Sequence, residues 1–229
     1  MIPHNDEITI VLTGRNYIYQ LLKRIFGDEP DLKLLETITD EFTWEVLELL
    51  FEEDTIVSYK DFFEELKKEI SSNSDDTLDK LKREYTTLLV GPDKLPAPPW
   101  ESIYVNNPPL LFQEATLKVR RAYLEYQMLP AQYPAVADDH LAIELDFMLY
   151  LGTLALENLE NENVEKLGQI LADQQKFLTN HLLVWISTFA EQIQESETNL
   201  FYPRLAMLTK EILQADYNII EELLSAIKN

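Results

Sequence analysis

Six of the eleven prolines in this chain fall in one stretch, Gly91 to Leu111, which reads GPDKLPAPPWESIYVNNPPLL. They are Pro92, Pro96, Pro98, Pro99, Pro108 and Pro109. Proline fixes φ and donates no backbone hydrogen bond, so the stretch predicts neither a helix nor an inner strand. Its composition does not suit a spacer, because Trp100, Ile103, Tyr104, Val105, Leu110 and Leu111 all need burial or a ligand. Two readings stand. One is a loop pinned to the core by Trp100 and Tyr104; the other is a stiff functional loop whose aromatics meet a ligand.

On either side of this stretch the apolar residues recur at helical spacing. Five glycines in 229 residues suit helices better than a many-turned β fold. Asp6 is placed to cap a first helix that Gly27 stops, and Pro30 to Ile38 forms a short second one. Thr39 and Ser58 each open a further helix, and Asp75 or Asp76 caps the next, with Leu78, Leu81, Tyr85, Leu88 and Leu89 on one stripe. Beyond the prolines, helix is predicted over Gln113–Met128, from a cap at Asp138 through Leu156, from Asn161 or Glu162 through Leu178, over HLLVWISTF, and from Pro203 onward. The β-like runs TIVL and ESIYV are too short to build a sheet. The expected fold is all-α, a single helical bundle of about ten helices with a long proline-rich loop in the middle. One domain over 1–229 is expected, with the 91–112 loop able to divide it into halves 1–90 and 113–229. Such a loop is also long enough to hinge a swap, which leaves a monomer and a domain-swapped dimer open.

A net charge of −22, from 41 acidic and 19 basic residues, repels phosphates over most of the surface. Nucleic acid is therefore a poor partner, and a basic one is favoured. The absence of cysteine excludes disulfides, thiolate metal sites and thiol nucleophiles, and fits a reducing compartment. No apolar run of about 18 residues is present to span a membrane. The start, MIPHNDEITIVLTG, lacks the basic and apolar regions of a signal peptide.

No GxSxG elbow, P-loop or HExxH occurs, and the histidines are His4, His140 and His181. His140 and Glu144 share a helix face and, with Asp139, define the alternative of a metal-dependent hydrolase. His181 and Trp185 read as a packing pair. In the triplet Asp138–Asp139–His140, capping explains the first carboxylate and the helix dipole the second. His140 is left as either a hydrogen-bonding group for a bound peptide or a buried tie between helix and loop.

Four motifs, in order, resemble the TorD/DmsD family of redox-enzyme maturation chaperones, which bind twin-arginine leaders. They are EYTTLLVGP (Glu84 to Pro92), APPWESIY (Ala97 to Tyr104), DDHLAIELDFM (Asp138 to Met148) and FLTNHLLVWISTF (Phe177 to Phe189). The third motif usually begins Pro-Asp-His, and here Asp138 opens it; the fourth usually has a proline after its tryptophan, where Ile186 and Ser187 stand. The resemblance implies an all-helical, cytoplasmic chaperone, not an enzyme, with no cofactor or metal of its own. Its partners would be the twin-arginine leader peptide and the apo catalytic subunit of a molybdopterin oxidoreductase, held until cofactor insertion. A nitrate-reductase-type assembly chaperone for a non-exported enzyme is the near alternative. Family binding positions map onto Tyr85, Leu88, Leu89, Pro99, Trp100, Glu101, Asp139 and His140. Physically, such a leader calls for carboxylates that meet guanidinium forks, which Glu84, Glu101, Asp138 and Asp139 could supply. It also calls for an apolar floor, which Trp100, Tyr104, Leu88 and Leu89 could form. This reading requires Trp100 and His140 to be neighbours in the fold.

Overall fold

The computed structural model describes residues 5–51, 53–92, 94–130, 136–196 and 200–227. In sequence order the α-helices are α1 (Asn5–Gly27), α2 (Leu32–Ile38), α3 (Glu41–Leu50), α4 (Glu53–Ser72), α5 (Ser74–Tyr85), α6 (Glu101–Val105), α7 (Glu114–Glu125), α8 (Leu141–Glu160), α9 (Val164–Phe177), α10 (Leu183–Gln194) and α11 (Tyr202–Ala226). Two π-helical turns, Thr86–Val90 and Leu178–Leu182, extend α5 and join α9 to α10. Among the described residues no strand forms, and the fold is the expected all-α bundle. None of the described helices is long and apolar enough to cross a membrane.

The bundle is arranged around α8. Its sequence LAIELDFMLYLGTLALENLE is apolar on more than one face, and it buries residues from Leu141 to Leu159 all round its circumference, as a central helix must. α1 lies along one side of it and α9 along another, and α10 packs on α11. α1 and α8 approach closely at Gly152, where a Cβ atom would fall 1.8 Å from Asn16 Oδ1. A buried polar cluster ties the two ends of the sequence together. Arg15 of α1 donates to Asp216 of α11 (Nε to Oδ1 2.5 Å, Nη2 to Oδ2 3.0 Å) and to Gln174 Oε1 of α9 (3.2 Å). Tyr19 OH donates to the same Asp216 at 2.6 Å.

Several helix starts differ from the sequence expectation by a few residues, at α2, α3 and α9 because another side chain reaches the free amides. Asp6 lies in the first turn of α1, which begins at Asn5. Asp31 caps α2 through Leu34 N–H, and Asp40 caps α3 through Phe42 N–H. Thr39 closes α2 instead, its hydroxyl donating to Leu35 C=O. α4 begins before Ser58, at Glu53, and Asn73 precedes α5 without a side-chain bond. Asn163, not Asn161 or Glu162, caps α9 by accepting from Lys166 N–H. Pro203 stands at the start of α11 as expected.

The proline-rich stretch departs most. Gly91, at φ 99° and ψ −167°, ends the first π turn in a conformation nearly reserved for glycine. Between Pro99 and Pro108 the backbone is proline-free, and there it makes the short helix α6, contrary to the expectation of no helix in this stretch. Trp100 precedes it in an extended conformation, which places the indole and the backbone groups of 99–101 against the start of α8.

Candidate functional site

Trp100 and His140 meet. They form an isolated antiparallel β-bridge, and their rings pack edge to face with centroids 5.1 Å apart. Flanking backbone bonds close the junction: Leu141 N–H donates to Pro99 C=O at 2.9 Å, and Glu101 N–H to Asp139 C=O at 3.0 Å. The loop and the mouth of α8 are one unit, as the sequence reading required.

His140 is itself the N-cap of α8, its Nδ1 accepting from Ala142 N–H at 3.1 Å. Asp138 therefore does not cap this helix. It lies two residues earlier, buried, with Arg120 Nε donating to its Oδ2 and Tyr123 OH donating to its backbone carbonyl oxygen at 2.9 Å. Burial lowers the His140 pKa to about 4, against a smaller opposing pull from Asp139, so the ring is neutral near pH 7. That is the state an accepting cap requires.

The carboxylates proposed to meet guanidinium groups all have partners inside the protein. Asp139 Oδ2 accepts from Ser102 N–H at 2.9 Å and so anchors the start of α6. Glu101 Oε2 is bonded to His181 Nδ1 at 2.9 Å. Glu84 accepts from Leu200, Phe201 and Tyr202 N–H at 3.0, 2.8 and 3.1 Å, which makes it the cap of α11 from another helix. Glu84, Glu101, Asp138 and Asp139 are each 3% exposed or less. Leu88, Leu89 and Pro99 are also buried. Of the expected peptide-binding residues, Tyr85, Trp100, Tyr104 and His140 keep partial exposure. Tyr104 stacks on Trp185 at 5.3 Å, and Tyr85 lies against Tyr202 at 5.6 Å.

His181, Trp185, Glu144, Ser102 and Arg120 complete the junction, and none is among the peptide-binding residues expected from sequence. The fourth motif carried the signal for His181 and Trp185, since a polar ring inside HLLVWISTF needs a buried partner. Glu144 is fully buried; its Oε2 accepts from Trp185 Nε1 at 3.3 Å. Burial raises its pKa well above the carboxylate range, and the nearby Glu101 and Asp139 raise it further. A neutral Glu144 can donate to Glu101, giving a line from Glu144 through Glu101 to His181. Because the folded state holds this proton and the unfolded state releases it above about pH 4.5, stability falls as pH rises past that point. Glu144→Gln, neutral at every pH, is expected to match the parent near pH 4.5 and to be the more stable of the two near pH 8, read by urea denaturation at the two pH values.

Buried polar atoms are ordinarily hydrogen-bonded. Eight buried side-chain atoms are without a partner among the described residues; leaving aside Glu144 Oε1, which the neutral acid can turn to Glu101, six belong to this junction and the adjoining α7: Trp100 Nε1, Ser102 Oγ, Tyr104 OH, Thr116 Oγ1, Asp138 Oδ1 and Asp139 Oδ1. The set mixes donors with acceptors, as the backbone of a bound peptide does. No group of three or more His, Cys, Asp or Glu suited to a metal occurs among the described residues. His140 Nδ1 already accepts from Ala142 N–H, which leaves only Nε2 for the hydrolase alternative.

This all-helical bundle has a counterpart among solved structures. The crystal structure of a putative redox enzyme maturation protein from Archaeoglobus fulgidus superimposes with a TM-score of 0.50 over 87% of this chain and 93% of that one, at 18% identity, a likeness of fold. The family model described as nitrate reductase delta subunit matches residues 57–191, more than half of the sequence, and the protein belongs to that family. Chaperone protein TorD of Shewanella pealeana is 29% identical over 227 residues, spanning 94% of this chain and 93% of its own. The probable Tat proofreading chaperone DmsD of Haemophilus influenzae is 30% identical over 134 residues, 58% of this chain and 59% of that protein.

Proposed function

We propose that this protein is a cytoplasmic chaperone, without catalytic activity, that binds the twin-arginine leader and the apo form of a molybdopterin oxidoreductase and delays export until the cofactor is in place. Family membership and relatives named as chaperones and as a Tat proofreading chaperone support the class. The observation that carries the site is the concentration of unpaired buried polar atoms around Trp100 and His140. In this reading Trp100, Tyr104, Tyr85 and His140 contact the leader, while Glu84, Glu101, Asp138 and Asp139 hold the shape of the groove. The leader's arginines are met at its rim. Asp28 and Glu29 stand close enough to Tyr85 to add to the effect of burial in raising its pKa, and both are exposed. The end of α1, which directly precedes them, abuts the first turn of α8, where a Cβ on Gly27 would lie 3.0 Å from Ala142 Cβ.

Calorimetric titration with a leader peptide tests this. Trp100→Ala is expected to weaken binding about tenfold or more, through loss of the indole face and its cation–π contact, with the helix content unchanged. Replacing the leader's Arg-Arg by Lys-Lys should weaken it too, because lysine lacks the guanidinium fork. Equal affinity for both leaders would remove the charge recognition. The description of the matched family favours a second reading, assembly of a nitrate-reductase-type enzyme that stays unexported. In that case the apo subunit binds with or without a twin-arginine leader.

A further inference from the structure

The start of α1 and the ends of α3 and α11 enclose an apolar cleft of about 300 Å³. Ile8 and Val11 of α1, Leu49 and Leu50 of α3, and Ile219 and Leu223 of α11 line it. The charged residues at its edge, Glu7 and Glu222, are both acidic and exposed. α1 runs antiparallel to α8, with Gly27 beside Ala142 and Asn16 beside Gly152. Ile8 lies roughly 28 Å along α1 from Gly27, so the cleft is at the far end of the helix from the mouth of α8. A shallow groove runs on from the cleft between α1 and α3. The two helices pack closely at Gly14, where a Cβ atom would meet Val46 and Leu50 at 3.4 Å. Tyr17 and Phe42 close the groove, their rings edge to face with centroids 5.2 Å apart. Ile10 shares a face of α1 with Tyr17, and Leu49 one of α3 with Phe42, because seven residues make about two turns. Ile10, Phe42 and Leu49 are each more than half exposed. Scattered apolar side chains on a surface need no explanation, but several beside an open apolar cleft mark a contact surface.

We infer that this face docks an amphipathic helix of another polypeptide, one whose polar side carries lysine or arginine. Phe42 and Leu49 offer apolar contacts two turns apart and the cleft beside Leu49 receives a side chain, which is the spacing an apolar helix stripe fits. The rim sets the charge. Glu41, Glu45 and Glu48 stand along the exposed side of α3, and Glu7 and Glu222 stand at the cleft. Lys60 offsets one of these five, Glu48, at 3.0 Å. A cationic helix gains steering and rim contacts from the others. A second copy of this chain would bring its own charge of −22 and the same glutamates to the contact. The inference does not rest on the leader reading, because the two surfaces share no residue.

The probe is a fluorescein-labelled helical peptide with leucine on one face and lysine on the other. It is titrated with the full-length protein at about 0.15 M salt, where weak long-range attraction is screened, and read by anisotropy. Wild type is expected to bind with a Kd of about 10 μM or below. The same peptide with glutamate in place of lysine should not bind. The Leu49→Ser/Glu222→Gln double variant should bind the lysine peptide at least about tenfold more weakly, through loss of an apolar anchor and a rim charge. Both substituted side chains are exposed, so the fold should hold, as circular dichroism would show. Leu124→Ser/Glu125→Gln removes the same two kinds of group from the exposed face of α7 and should bind as wild type does. No binding by wild type, undiminished binding by the first variant, or an equal loss in the second would overturn the inference. Dimerisation of the protein alone, seen by sedimentation and abolished by Leu49→Ser/Glu222→Gln, would also overturn it, by assigning the face to a second copy.

Discussion

Asp216→Ala is expected to destabilise the protein by about 3–5 kcal/mol, because it removes one member of a buried pair and leaves the other charged. The Arg15 side chain is 1% exposed and that of Asp216 is 3% exposed. Without the carboxylate, the guanidinium keeps only the Gln174 oxygen, and Tyr19 OH loses its acceptor. Neither group can reach water without parting α1 from α11. Asp216→Asn should cost less than Asp216→Ala, since it keeps an acceptor of the same shape. The double change Arg15→Met/Asp216→Leu should recover most of the loss, because a buried ion pair replaced by apolar residues of similar volume is often neutral or stabilising. Urea midpoints of the parent and three variants check the order. If the double variant is as unstable as Asp216→Ala, the loss comes from packing and not from the stranded charge.

The second large effect is expected at Glu84. Its carboxylate accepts from three consecutive backbone N–H groups, those of Leu200, Phe201 and Tyr202, at the start of α11. These amides lead into the first turn of α11, where no internal acceptor exists, and the positive end of the helix dipole adds to the attraction. Glu84→Ala removes all three bonds and should cost about 2–4 kcal/mol, with Glu84→Gln about half of that. The experiment also separates two roles for this residue. A carboxylate that meets the leader directly would lose leader affinity on substitution while the urea midpoint stayed in place. A cap moves the midpoint, and leader affinity measured well below the new midpoint stays near the parent's.

Apolar spacing made the helices legible. Stripes such as Leu78, Leu81, Tyr85, Leu88 and Leu89 repeat at the helical period because one face of each helix must be buried. Helix starts were less so. Asp40 competes with Thr39, and Asn163 with Asn161 and Glu162, a residue or two away, and which side chain reaches a free amide depends on the path of the incoming backbone. The proline stretch hid α6, because five residues without proline are too few to show a period. The meeting of Trp100 with His140 was expected from the motifs. The cap made by His140 was not, because histidine is an uncommon cap.

Local sequence determined that this protein is helical, where its prolines interrupt the helices, and which residues cluster in chemically unusual motifs, because those properties depend on neighbours along the backbone. Only the tertiary structure decided that the motif carboxylates turn inward. Glu84 reaches an amide 116 residues away, Glu101 a histidine 80 away, and Arg15 an aspartate 201 away. A carboxylate in sequence looks the same whether it will face solvent, a ligand or a helix end. What settles the matter is the cost of burying it unpaired, and that cost exists only once the helices have packed.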